Sequence, residues 1–201
     1  AVGDHLTYPK IFVYNEKLYI TARRTKHSVG KDQRPQMVIY ERKFNKKFSK
    51  GKILLTSRLN GYANFHFFIN VNKNKNYLYL TLKRNEGSTK NSIGLNQSIE
   101  IYKFRNNMSI ESMFLDIDSG KIKPLFNFKG GLEKDSSLEI GPGFIFDNKL
   151  FISFVVESFK SSEIFLIEIE NNKVNLRNIS YILNSIDKGY SFTKPIGGMA
   201  I

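Results

Sequence analysis

The stretch GDHLTYPKIFVYNEKLYITARR, Gly3 to Arg24, decides the fold. It runs from a polar lead-in carrying His5 and Tyr8, through the apolar run Ile11 to Tyr14, over an Asn-Glu step, into a second run opening Leu18-Tyr19, and ends on Arg23 and Arg24. Two short runs rich in β-branched and aromatic residues, joined by a polar step, read as a β-hairpin. The same order returns in ANFHFFINVNKNKNYLYLTLKR, Ala63 to Arg84, and in EIGPGFIFDNKLFISFVVES, Glu139 to Ser158. Each copy has a small or polar lead-in, a strand, an Asn-containing turn and a strand that opens with Leu and an aromatic residue, at Leu18, Leu78 and Leu150. A further lead-in, GYSFTKPIGG, stands at 189–198.

Two more strands follow each copy. They are PQMVIYERKF and KGKILLTS in the first unit, QSIEIYKFRN and GKIKPLFNF in the second, SEIFLIEIE and VNLRNISYIL in the third. Repeated units of four antiparallel strands are the signature of β-propeller blades. The chain therefore reads as one all-β, propeller-like domain over 1–201, with blades at 7–60, 61–130 and 136–184 and part of a fourth at 188–201. Helical periodicity is confined to NMSIESMFLDI, Asn107 to Ile117. Three blades and a fraction cannot close a ring and hide its sheet edges. The reading thus expects a larger propeller, or self-association, to complete it, and a β-sandwich is the structural alternative.

Composition narrows the partners. The 201 residues hold 31 Lys and Arg against 18 Asp and Glu, a formal charge of +13, spread along the chain. Such a field attracts polyanions: acidic polysaccharide, anionic lipid or nucleic acid. The absence of cysteine excludes disulfides, thiolate nucleophiles and Cys-based metal sites. No His pair stands at metal-ligand spacing and no glycine-rich phosphate loop is present, so no metal or cofactor is expected. No apolar run reaches the length of a membrane span, which reads as a soluble chain placed in a secreted, periplasmic or cell-surface setting.

The order TYPKIFVYNEKLYITARR, followed by YANFHFFINVNKNKNYLYLTLKR, resembles the sialidase-like BNR-repeat propellers found among polysaccharide lyases and glycoside hydrolases. The likeness spans roughly Gly3 to Glu157, without the Ser-x-Asp-x-Gly-x-Thr-Trp box of that family and without any Trp. It implies a carbohydrate-active propeller that binds an anionic polysaccharide and cleaves it, by β-elimination ahead of hydrolysis. The rivals are a non-catalytic glycan- or protein-binding propeller and, behind these, a nucleic-acid binder that stacks bases on the aromatics of NKNKNYLYLTLKR.

In a propeller the first strand of each blade lines the channel and its lead-in sits at one mouth. There the expected catalytic residues are His5, Tyr8 and His66, because His titrates near neutrality and can move the proton α to a uronate carboxylate. Arg23, Arg24, His27, Asn64, Arg84 and Glu139 are the expected substrate-binding residues, the guanidinium groups meeting carboxylates in two-pronged fashion. Tyr190 and Lys194 would join them from the fourth lead-in. Asp4, Glu139 and Glu157 are the carboxylates nearest the expected channel. Arg84 also reads as a charge on an edge strand.

Overall fold

A computed structural model describes residues 4–26, 36–43, 46–48, 50–56, 66–85, 97–130, 137–157 and 162–180. Among the described residues the chain is all-β with one α-helix, built as antiparallel sheets in sequence order. The first holds β1 (Asp4–Tyr14), β2 (Lys17–Lys26), β3 (Gln36–Lys43) and β4 (Lys52–Thr56), side by side in that order. The second repeats the meander with β5 (His66–Asn72), β6 (Tyr77–Asn85), β7 (Gln97–Arg105) and β8 (Phe126–Gly130), and helix α1 (Ile110–Asp118) lies between its last two strands. In the third sheet β9 (Ser137–Ile140) and β10 (Phe144–Phe146) pair in tandem along one edge of β11 (Lys149–Glu157). β12 (Ser162–Glu170) and β13 (Lys173–Asn178) complete it.

The tandem edge has a counterpart in the first sheet. The β1–β2 register shifts by one residue between Thr7 and Lys10, around Tyr8-Pro9, and the pairing along β11 shifts in the same sense between Ile140 and Phe144, around Gly141-Pro142-Gly143. Proline cannot donate to a ladder, so both first strands yield there by a bulge or a break. At Gly143 an added Cβ would lie 2.8 Å from both the Asn70 amide nitrogen and Ile152 Cγ1, so only glycine fits the approach of β5.

The hairpins follow from their turn residues. Asn15-Glu16, Asp147-Asn148 and Asn171-Asn172 all have positive φ, as two-residue type I′ turns require. The β5–β6 turn closes instead through a 3₁₀ turn, Lys73–Lys75, with Asn76 left-handed at φ 52°. Helix α1 starts where the Ser109 hydroxyl accepts from the Ser112 amide at 3.1 Å. It stops in a Schellman arrangement: Gly120, at φ 71°, donates to the Ile117 carbonyl and Lys121 to that of Asp116.

The sheets pack face to face in chain order. One face of the second sheet sets Phe67, Leu78, Leu80, Leu82, Tyr102 and Phe104 against Tyr14, Tyr19, Met37 and Ile39 of the first sheet, with α1 adding Ile110, Met113, Phe114 and Ile117. Its other face sets Tyr77, Tyr79, Ile99 and Ile101 against Leu138, Leu150, Ile152, Phe154, Ile167 and Ile169 of the third. Alternation along β6 assigns Leu to one neighbour and Tyr to the other. Leu78, Leu80 and Leu82 are wholly buried, each worth about 1.5–3 kcal/mol of transfer from water.

First strands lie beside first strands. Phe12 of β1 meets Phe67 of β5 with ring centroids 5.9 Å apart, and Lys10 lies 4.7 Å from the Phe68 ring. The hydroxyl of Tyr14 points at the carbonyls of Asn106 and Met108, the latter at 2.9 Å, and ties the first hairpin to the chain after β7.

Glu16 is the one side chain in the three type I′ turns without the short polar arm that eases a left-handed backbone, at φ 58°. Glu16→Gly is expected to stabilise the fold by about 1 kcal/mol, raising Tm by about 2–4 °C in thermal unfolding. An unchanged or lower Tm contradicts the turn assignment.

Candidate functional site

The first strands of the three sheets enter at one end, and those singled-out residues whose backbone is described cluster there by position. His5 lies in β1 opposite Thr25, and Thr7 opposite Arg23. His66 opens β5 directly opposite Lys83. Glu139 lies in β9 opposite Val155 of β11. The side chains of His5, Tyr8 and His66, together with His27, Asn64, Tyr190 and Lys194 in full, lie outside the described residues.

The centre of this end is a polar node between the second and third sheets. Lys83 faces the third sheet on the side of β6 that carries Tyr79 and Thr81, and its side chain is only 4% exposed. Its ammonium donates to the Leu138 carbonyl and lies 3.5 Å from Glu139 Oε1. Gln97, across the ladder at the start of β7, accepts from the Leu138 amide at 2.6 Å through Oε1. The middle sheet thus grips both backbone polar groups of one residue on the edge of the next sheet. An edge strand would otherwise leave those groups open to another chain.

Two carboxylates frame the node. Glu139 faces Val155, and Glu157 faces Ser137 two residues along, so the two acids are diagonal cross-strand neighbours on one face of the third sheet. That arrangement sets their Cα atoms about 7–8 Å apart. Glu157 Oε2 accepts from Ser137 Oγ at 3.3 Å, while its Oε1 is buried with no hydrogen-bond partner. Burial holds the Lys83 ammonium below the usual lysine pKa, and the Glu139 and Glu157 charges oppose that shift.

Arg84 turns the other way, toward the first sheet. Its Nε donates to Glu100 at 2.8 Å, both side chains being less than one-fifth exposed, and Tyr102 donates to the same carboxylate oxygen at 2.7 Å. Burial first, and then this bond to Glu100, raise the Tyr102 phenol above its ordinary pKa. β6 is an interior strand of its sheet, so Arg84 is not the edge-strand charge its sequence context allows. Arg23 and Arg24 alternate faces as consecutive strand residues must, Arg23 on the side of Tyr19 and Thr21 that meets the second sheet.

The structure therefore sets the Lys83 ammonium against Glu139, with Glu157 the cross-strand neighbour of Glu139 on the face of the third sheet turned away from the second, brings the His66 backbone beside Lys83, and engages Arg84 in an internal ion pair. Lys83, Gln97 and Ser137 were missed by the sequence reading. The aligned steps Ala22-Arg23-Arg24 and Leu82-Lys83-Arg84 held the signal, because Lys83 is the repeat counterpart of Arg23. Tyr77 and Tyr79 are buried in the core, so they offer no platform for stacked bases. Among the described residues no group of three His, Cys, Asp or Glu is placed to hold a metal ion. No helix among them is long and apolar enough to cross a membrane. No family model and no curated protein matches the chain.

A lysine whose folded-state pKa is depressed binds fewer protons folded than unfolded, so stability rises as pH climbs from that pKa toward the unfolded value near 10.5. The Lys83→Met variant lacks this gain. Its Tm deficit relative to the parent is expected to widen between about pH 7 and about pH 10; a constant difference contradicts a buried ammonium.

The Arg84–Glu100 pair is largely desolvated, whereas Lys52–Glu111 is about half exposed. Glu100→Ala is expected to cost about 3 kcal/mol in denaturant unfolding and Glu111→Ala less than about 1 kcal/mol. Equal costs contradict the burial ranking.

Proposed function

We propose that this chain forms blades of a β-propeller-type protein that binds an anionic polysaccharide at the lead-in end of its sheets and cleaves it, by β-elimination ahead of hydrolysis. The observation that carries the reading is the convergence at one end of Lys83, Glu139 and Glu157, with an unpartnered carboxylate oxygen, beside the strand positions of His5, His66, Arg23 and Arg24. A buried carboxylate oxygen left without a hydrogen-bond partner fits a group that completes its bonds with substrate. Elimination needs a base for the proton α to the uronate carboxylate and a cation to neutralise that carboxylate; His5 or His66 would serve as the first and Arg23 or Arg24 as the second.

The outermost face of the first sheet supports the propeller form. Leu6, Ile11, Val13 and Ile53 share the free face of the first sheet and are each at least half exposed. Phe146, 60% exposed, lies with Phe144 and Phe151 on the free face of the third. The free face of the first sheet is apolar at these positions and suits a further sheet of the same kind, whereas that of the third also carries Lys149, Glu168, Glu170 and Arg177 in ion pairs.

Hydrolysis is the second reading, favoured by the placement of Glu139 and Glu157 as diagonal neighbours on one face of the third sheet, since hydrolysis uses a pair of carboxylates. Incubation with polygalacturonate, hyaluronan and heparin separates the outcomes. Ultraviolet absorbance of an unsaturated uronate marks elimination, and new reducing ends without that absorbance mark hydrolysis. His66→Ala is expected to lower elimination by about 10²-fold or more, and Glu157→Gln to do the same to hydrolysis. Absence of both binding and cleavage across the panel contradicts the proposal.

A further inference from the structure

At the opposite end of the sheets, where the hairpins turn, an open cleft of about 1010 Å³ runs across the end of the second sheet. Among the described residues its walls carry Lys75, Lys103 and Arg105 together with the amides of Asn15, Asn76 and Asn106, and no carboxylate. The loops are tied down around it: Asn106 N–H donates to the Asn76 carbonyl at 3.0 Å, and Asn15 reaches the Asn106 carbonyl at 3.5 Å. The Lys75 ammonium meets Asn171 Oδ1 at 2.9 Å, and that of Lys103 meets Asn172 Oδ1 at 2.7 Å, so both are oriented by neutral oxygens that leave their charge uncompensated.

The internal repeat shows that this charge is particular to the middle sheet. Tyr19 pairs with Glu41, Tyr79 with Lys103, and Phe151 with Glu168, which makes Glu41, Lys103 and Glu168 equivalent positions in the three sheets. In the outer sheets that glutamate neutralises a hairpin lysine: Lys17 lies 2.8 Å from Glu41, and Lys149 lies 3.0 Å from Glu168 and 3.4 Å from Glu170. In the middle sheet the lysine position is Tyr77 and the glutamate position is Lys103, whose ammonium sits 4.1 Å from the Tyr77 ring centroid. One position further along the ladder, where the third sheet has Glu170, the middle sheet has Arg105. The pattern that elsewhere balances charge is inverted at the mouth of the cleft, which concentrates a positive field in a concave surface.

We infer that this cleft is a second binding site, for a carboxylated or sulfated oligosaccharide segment, distinct from the lead-in end. Three cations and several amides suit a ligand with repeated anionic groups and many hydroxyls. Its aromatic lining, Tyr77 and Phe104, is buried, so nucleobases find nothing to stack on and a glycan is the better fit. The inference takes from the proposed function only that the natural ligand is an anionic glycan.

The test is calorimetric titration of the full chain with a heparin-derived octasaccharide at low salt, with single-stranded DNA as competitor. The double change Lys103→Glu with Arg105→Glu installs at those positions the residue type the fold already carries at Glu168 and Glu170. It is expected to weaken binding by about tenfold or more and to flatten its salt dependence, since each charge-assisted contact is worth about tenfold. The milder Lys75→Gln is expected to weaken binding less, with Tm unchanged, which separates lost contacts from lost folding. Affinity within twofold of the parent in both cleft variants, or no binding by the parent, overturns the second site even where cleavage at the lead-in end is observed. Displacement of the octasaccharide by DNA at lower concentration overturns the ligand class.

Discussion

The second sheet is apolar on both faces, and a four-stranded meander cannot cover itself. Leu78, Leu80 and Leu82 point one way from β6 while Tyr77 and Tyr79 point the other, and all five are buried or nearly so. Each face must therefore be covered by a neighbour, and the first and third sheets do so. From that demand follow the order of the stack, the contact of first strand with first strand, and the common end at which the three first strands begin. The lead-in node and the basic cleft both depend on it, because each is built from residues of more than one sheet.

Repetition supplies the frame, and departures from repetition supply the chemistry. Tyr19, Tyr79 and Phe151 occupy one position of the unit, and Thr21, Thr81 and Ser153 another. These keep the sheets alike where they pack. At the strand ends the copies diverge: Arg23 and Lys83 give way to Val155, while Thr25 and Asn85 give way to Glu157. At the hairpin ends Glu41 and Glu168 give way to Lys103. Buried positions are held to shape by packing, whereas ends are free to take on charge.

Much of the architecture was legible in the sequence because it is written locally. Alternating runs such as SIEIYKF mark strands, Asn-rich steps such as Asp147-Asn148 mark I′ turns, and Ser109 followed by the apolar spacing of Ile110, Met113, Phe114 and Ile117 marks the helix. What was not legible depends on partners far along the chain. YLYLTLKR has the same composition whether one of its faces is covered or both, so Tyr77 and Tyr79 could be read as exposed aromatics. Lys83 gains its role only from Leu138, 55 residues away, and Arg84 only from the burial of Glu100 beside it. The break between β9 and β10 hides in a Gly-Pro-Gly step that also reads as an ordinary turn.

Hydrogen exchange resolved along the chain tests most directly whether the middle sheet is walled on both sides. The account predicts that amides of residues 78–83 in β6 and 98–104 in β7 exchange slowest, at rates set by global unfolding, while β1 and β13 exchange earlier through local opening. Amides of β2 and β3, or of β11 and β12, that outlast those of β6 and β7 would contradict it.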